Sequence, residues 1–540
     1  MNPKHAYGAV AVWCVVFFAL GSSISAQEAV APTHTGVPQD WSERHILFSR
    51  DGLALHPDLI YREPRILHQA MQRWQTPNSD VFRGADPLPA SVNDSGQGRD
   101  WNVLLGGRLA PDMFPAKYSF NPASPPSCSG DYVVFGLGTP GVTGGRANLV
   151  AFNNLYAGTG GLCGATETVL FAYNITTATG GEIVTSPILS EDGTKIAFVE
   201  SLGTSAIFHV LTWTAGQSTL TDAAAPTMTS LTYSPSFNST TSSPWVDYGT
   251  DTVYLGADNG EVYKITGVFK GTPTLAGSPW PVTVSTSYRL SPPVLDSNLG
   301  YLMVGSANGN LYRINIATGA LSTLVVGKSG GTSPGIVAGP IVDVTNGTTF
   351  AVSANDGTSA VLVQADTASM TQLSKARIGE GSTGGTAIQL YEPAFTNGYF
   401  TNPANGDVRL CGTGAADTTP WQYSFGFIGR IMRTTVSFSQ QLLTSTAARC
   451  TGWTEFFNPN ISGGTDFFFF GLTQDCTATG APGGCVEALT GTSTFTTTTV
   501  DGGPSGIVVD NYSTAGQASS IYLMGDKIDY AYKFTQNGLH

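Results

Sequence analysis

Histidine, charge and long helical patterning are scarce in this 540-residue chain, and each scarcity excludes something. Of seven histidines, only His209 lies within the main body ahead of the C-terminal residue. A Ser-His-Asp hydrolase would have to use His209 or borrow a histidine from the N-terminal 70 residues or so. Charged residues make up 12%, about half of the roughly 25% usual in soluble domains. The net charge is −13 and no Lys/Arg-rich run interrupts it, which excludes nucleic acid as a partner because phosphates need a basic patch. No C-x-x-C pair and no histidine lies near the cysteines, so a zinc site is disfavoured. Helical periodicity is convincing only from Glu63 to Gln75, where Ile66, Leu67, Ala70, Met71 and Trp74 define one amphipathic helix of about three turns.

The N-terminus reads as a secretory signal peptide over residues 1–26. Lys4 and His5 open it, Ala6 to Leu20 form an apolar run, and Gly21, Ser22, Ser23, Ser25 and Ala26 provide a small-residue exit. Fifteen apolar residues are short for a bilayer span, and a retained anchor is the alternative. Cys14 behind Trp13 makes a poor lipobox. Export leaves Cys128, Cys163, Cys411, Cys450, Cys476 and Cys485, an even number in an oxidising compartment, hence candidate disulfides. Six cysteines allow fifteen pairings. Neighbourhood in the chain favours Cys128 with Cys163, Cys411 with Cys450 and Cys476 with Cys485.

Sixty-five glycines and 31 prolines, scattered along the chain, point to many short strands and tight turns. A repeat runs through them. Its clearest copy is Ser291-Pro-Pro-Val-Leu-Asp296, then Gly300 to Ser306, Asn308-Gly309 and Asn310 to Asn315. Ser243 to Asp247 with Thr252 to Ile265, and Gly339 to Asp343 with Thr349 to Gln364, are its neighbours; Ser186 to Leu211 is an earlier copy. Weaker copies begin near Pro126, Pro393, Trp453 and Pro504. Pro-led strands at 187, 244, 293, 340 and 393 recur at the spacing of a four-stranded blade, so the expected fold is an all-β propeller. Counting the starts gives eight blades, or seven if the weak copies merge. The domain reading is a signal peptide at 1–26, an N-terminal extension at 27–99 packed on one face and carrying the helix at about 63–75, and the propeller at 100–540. Asp100 to Gly107 is expected to supply the outer strand that closes the ring.

The segment Tyr301 to Gly319, YLMVGSANGNLYRINIATG, resembles the repeat of quinoprotein-like propellers, as does Val253 to Ile265. Ser190 to Ser201, SEDGTKIAFVES, is similar to the repeat of Tol-associated propeller proteins. Both resemblances imply an exported bacterial propeller and cover about half of the chain. The first also implies a quinone cofactor beside a calcium ion held by oxygen ligands. The adjacent cysteine pair and the tryptophan docking motif of many such enzymes are absent here. Asp247, Asp296, Asp343 and Asp510 are candidate calcium carboxylates, but they recur at matching blade positions, which favours turn capping.

A glycan-active propeller would need two or three converging carboxylates, for which Glu167, Glu182, Glu392, Glu455 and Glu487 are available. His34, His45, His56 and His68 are the only histidine cluster, at spacings that match no local metal motif. His209 reads as structural. Asn174, Asn238 and Asn460 head glycosylation-type triplets, and Phe467 to Phe470 reads as a buried inner strand. The reading is an exported, non-catalytic binding or scaffold propeller that holds a protein or glycan partner on one face or in its central channel. The alternative is an extracellular carbohydrate- or alcohol-directed enzyme using carboxylates and calcium. Three or more non-periodic acids converging at the axis would favour the enzyme.

Overall fold

The computed structural model describes residues 36–49, 63–74, 97–110, 112–120, 126–158, 160–328, 334–380, 388–414, 417–459, 461, 464–476, 483–510, 517–525, 529–536 and 539. The expected signal peptide, His34, His56 and Asn460 lie outside them. Residues 34–540 form one compact unit, and its described strands make eight sheets that are the eight blades of a β-propeller.

The prolines at 187, 244, 293, 340 and 393 each stand directly before the innermost strand of a blade: Ile188–Leu189, Trp245–Asp247, Val294–Asp296, Ile341–Asp343 and Ala394–Phe395. Proline suits this position because the first residue of a strand need not donate to the ladder. Blades 7 and 8 begin at Thr454–Asn458 and Val508–Asp510, close to the weak copies at Trp453 and Pro504. Blade 1 begins earlier than expected, at Ala116–Ser119 rather than near Pro126. The residues around Pro126 precede its second strand, Tyr132–Gly136.

Several second strands are near-continuous apolar runs because neighbouring blades cover both of their faces. Phe467 to Phe470 fits this rule, at 6% exposure or less along the second strand of blade 7. Outer strands alternate instead, as Leu321–Val325 does. The hairpins between second and third strands turn on Asn259-Gly260 and Asn308-Gly309. Gly260 and Gly309 hold φ of 84° and 85°, and a Cβ on Gly260 would lie 2.3 Å from the Ser285 carbonyl oxygen. A second recurring device is a hydroxyl three residues ahead of the innermost strand. Ser242, Ser291, Thr451 and Ser505 accept from the backbone N–H of Gly256, Gly305, Gly471 and Met524 at 2.8–2.9 Å, tying strand one to strand two.

The ring closes through Gln97–Leu104, which pairs antiparallel with Tyr530–Gln536 as the outer strand of blade 8. Asp100 accepts from Lys533 Nζ at 2.5 Å and from the Thr535 hydroxyl at 2.6 Å. Trp101 packs between Phe152 of blade 1 and Tyr522 of blade 8, with ring centroids at 5.7 and 6.2 Å. Disulfides join Cys128–Cys163 within blade 1, Cys411–Cys450 between blade 6 and the entry to blade 7, and Cys476–Cys485 in blade 7.

The N-terminal segment departs from expectation. Strand β1 (Val37–Gln39) pairs antiparallel with the innermost strand of blade 1, and β2 (Ile46–Leu47) pairs in parallel with the innermost strand of blade 5. These blades stand opposite each other in an eight-membered ring, so the segment crosses the axial channel instead of packing on one face. Innermost strands present unpaired backbone groups toward the axis, and those groups demand partners. The helix α1 (Pro64–Trp74) follows. It buries Arg65, Ile66, His68 and Gln69, whereas Leu67 and Ala70 are only half-buried, so its inward face is more polar than the apolar periodicity suggested. Gln69 explains why, since its Nε2 donates to the carbonyls of Glu43 and Ile46 and so satisfies the crossing segment. No described helix is long and apolar enough to cross a membrane.

Candidate functional site

The periodic aspartates end the innermost strands, and three of them cap turns. Asp247 Oδ1 accepts from Gly249 N at 3.1 Å, Asp296 Oδ1 from Asn298 N and Leu299 N at 3.0 and 2.9 Å, and Asp343 Oδ1 from Asn346 N at 2.9 Å. Burial pushes Asp296 up to about 6, against the pull of those amides. Asp510 does something else, meeting the buried Lys117 Nζ at 2.8 Å. Among the described residues no three carboxylates, histidines or cysteines are grouped as metal ligands would be.

Of the non-periodic acids, Glu392 and Glu455 reach the axis. Glu167, Glu182 and Glu487 stay within or between strands away from it. Glu487 is buried on the third strand of blade 7, where loss of solvent pushes it up to about 7 and the Thr497 hydroxyl donates to it at 2.7 Å. His209 is fully buried on the third strand of blade 2, between Glu200 Oε2 at 2.9 Å and Ser230 Oγ at 2.8 Å. That environment holds a strand pair together and offers nothing to a substrate.

The N-terminal segment supplies the cations that meet the axial acids. Arg44 Nε and Nη2 donate to Glu392 Oε1 at 3.1 and 2.7 Å. Arg73 on α1 pairs with Glu455, and Arg65 Nε donates to Glu63 Oε1 at 2.5 Å while stacking 3.8 Å over Trp245. Sequence reasoning missed these arginines. They are dispersed singly through the extension, and nothing local marks Arg44 and Arg73 as partners of residues 300–400 positions away.

At the end of the ring where the innermost strands begin, a recess of about 680 Å³, counting its open mouth, lies on the axis. The loops ahead of the innermost strands of blades 1 to 6 ring it, and Trp41 and His45 of the crossing segment form part of its floor. Trp41, His45, Thr185 and Glu392 are each 2% exposed or less. Gly339 makes room for His45, since a Cβ there would stand 3.0 Å from the imidazole. His45 Nδ1 lies 3.2 Å from the Pro340 carbonyl, so the neutral ring carries its proton there and leaves Nε2 as an acceptor. Burial lowers His45 to about 4, with Glu392 pulling the other way. Asp112 holds a left-handed backbone, φ 61°, and its Oδ1 is buried without a hydrogen-bond partner. Burial first, and the Glu392 carboxylate second, push Asp112 well above the usual carboxylate range. Arg289 stands half-exposed at the rim.

No protein-family model matches the chain, and no curated protein does. Solved structures of similar fold do exist. The Dos1 propeller shares 11% identity over 82% of this chain and 96% of its own, with a TM-score of 0.52. BamB from Moraxella catarrhalis shares 13% over 81% and 99%, with a TM-score of 0.45. The computationally designed Ika8 protein shares 13% over 81% and 100%, with a TM-score of 0.44. At these identities the likeness is one of fold, and fold does not carry activity.

Proposed function

We propose that this chain is an exported, non-catalytic propeller that binds or scaffolds a partner. One observation carries the reading: the axial channel, where the innermost strands of all blades converge, is crossed by the protein's own N-terminal segment. The three disulfides suit an oxidising compartment. A partner, protein or glycan, then meets an end or the rim of the ring and not an open channel. The likeness of the repeats to quinoprotein-like and Tol-associated propellers is taken as shared blade geometry.

The enzyme reading keeps one specific support, because Glu392 and Glu455 reach the axis. Glu63, Glu392 and Glu455 are each engaged by an arginine of the extension, however, which removes them as free nucleophiles or bases. Thermal unfolding of residues 27–540 with calcium, with pyrroloquinoline quinone and with both decides between the readings. A ligand at one hundred times its dissociation constant stabilises by about 2.7 kcal/mol. The expected result is an unchanged midpoint, and no oxidation of simple alcohols. A shift that requires calcium and the quinone together would replace this reading with a dehydrogenase.

A further inference from the structure

The axial recess carries features that neither the blade repeat nor the crossing segment accounts for. Thr185 is 98% buried in its wall, yet its hydroxyl has no hydrogen-bond partner, although a buried hydroxyl left unpaired costs about 1–3 kcal/mol. The neighbouring hydroxyls are satisfied: Ser186 Oγ accepts from Phe114 N and Ser243 Oγ from Ser186 N, both at 2.9 Å. Asp112 Oδ1 is the second orphan, on a residue whose left-handed backbone costs about 1 kcal/mol or more and persists only where its surroundings impose it. Two unpaired polar atoms therefore line one recess that opens to solvent.

We propose that this recess binds a neutral, hydroxyl-rich ligand, a saccharide end group, through Thr185, Asp112 and Arg289, with the ring of Tyr391 at the mouth. The inference rests on the binding-propeller reading and names the ligand class. Hydroxyls both donate and accept, and the recess presents both roles. The Thr185 hydroxyl does either, the Arg289 guanidinium donates, and His45 Nε2 accepts. Charge decides against ionic ligands, since the rim cation Arg289 already has the Asp258 carboxylate within electrostatic reach. Glu392 is neutralised by Arg44, which is itself covered by the Phe114 ring at 3.8 Å, and His45 is uncharged, so neither a free carboxylate nor a free buried cation waits for a counter-ion. Tyr391 Oη donates to Gln389 Oε1 at 2.9 Å, which fixes its ring beside the mouth. Rings of this kind present an apolar face to the C–H groups of a sugar while the polar wall takes its hydroxyls.

Calorimetric titration of residues 27–540 with neutral mono- and disaccharides, and with glucuronate and glucosamine as charged counterparts, tests the site. At least one neutral sugar is expected to bind, and the charged analogues at least tenfold more weakly. Thr185→Val removes the orphan hydroxyl and keeps the shape. It should weaken the sugar about tenfold without lowering the unfolding midpoint of the free protein. Arg289→Met, at a half-exposed position, is a second variant and should weaken binding similarly. No binding by any neutral sugar overturns the proposal and leaves the scaffold reading standing. Binding that neither variant alters places the ligand elsewhere and also overturns it, as does preference for a charged sugar. Cleavage of a bound glycoside, lost in Thr185→Val, would uphold the site and overturn the non-catalytic reading instead.

Discussion

Arg44 shows how little of the axis is legible residue by residue. In the sequence it is one arginine in an extension; in the fold it is 14% exposed and bridges to a Glu392 that is 1% exposed. Removing one partner of such a pair leaves a buried charge alone, so Arg44→Met should lose about 3–5 kcal/mol in urea denaturation. The double variant with Glu392→Gln should recover most of that loss, and an unaffected single variant would show that the pair is solvated. His45 sets a pH dependence. Its native pKa is about 4 and the unfolded value is near 6.5, so between these pH values the unfolded chain binds a proton that the native chain refuses. Its contribution is therefore complete above about pH 6.5 and is lost as pH falls toward 4. His45→Asn removes the titration. Denaturation at a series of pH values should show the wild type losing up to about 3 kcal/mol more than the variant from pH 7 to pH 4. Parallel curves would mean that His45 is not held neutral.

Elements were far more legible than residues, because blade strands are specified locally. Proline before an innermost strand, an apolar run for the second strand and Asn-Gly for the next hairpin all follow from backbone geometry within about 25 residues. Blade 1 shows the limit of this legibility. Its innermost strand, Ala116–Ser119, follows Pro115 with no recognisable partner motif before Tyr132, so the sequence pattern places the repeat start later. The helix α1 shows a second limit. Its period was visible, but the periodicity of Ile66 and Leu67 did not reveal that Arg65, His68 and Gln69 face inward, since polar burial requires partners that only distant chain supplies. The turn-capping aspartates were readable for a local reason, their hydrogen bonds spanning two or three residues. Asp510 broke that pattern through Lys117, almost four hundred residues away.

For the molecule as a whole, ring closure depends on a strand ahead of blade 1 meeting the last described strand. Gln97–Leu104 joins Tyr530–Gln536, so blade 8 is built from both ends of the chain and links the ring covalently to its own start. Deleting residues 97–104 should split the calorimetric transition or broaden it strongly, because Trp101 and the Asp100–Lys533 pair are lost from the seam between blades 8 and 1. A single transition at the wild-type midpoint would show that the seam contributes no cooperativity. By itself the sequence determined the blade, its spacing and an outer strand from the region after Arg99, all short-range consequences of turn chemistry and alternation. Only the tertiary structure decided that the N-terminal segment crosses the channel, that its arginines neutralise the axial acids, and that a recess with two unpaired polar atoms remains above it. Those outcomes depend on contacts between residues hundreds of positions apart, where no periodicity or local motif constrains the pairing.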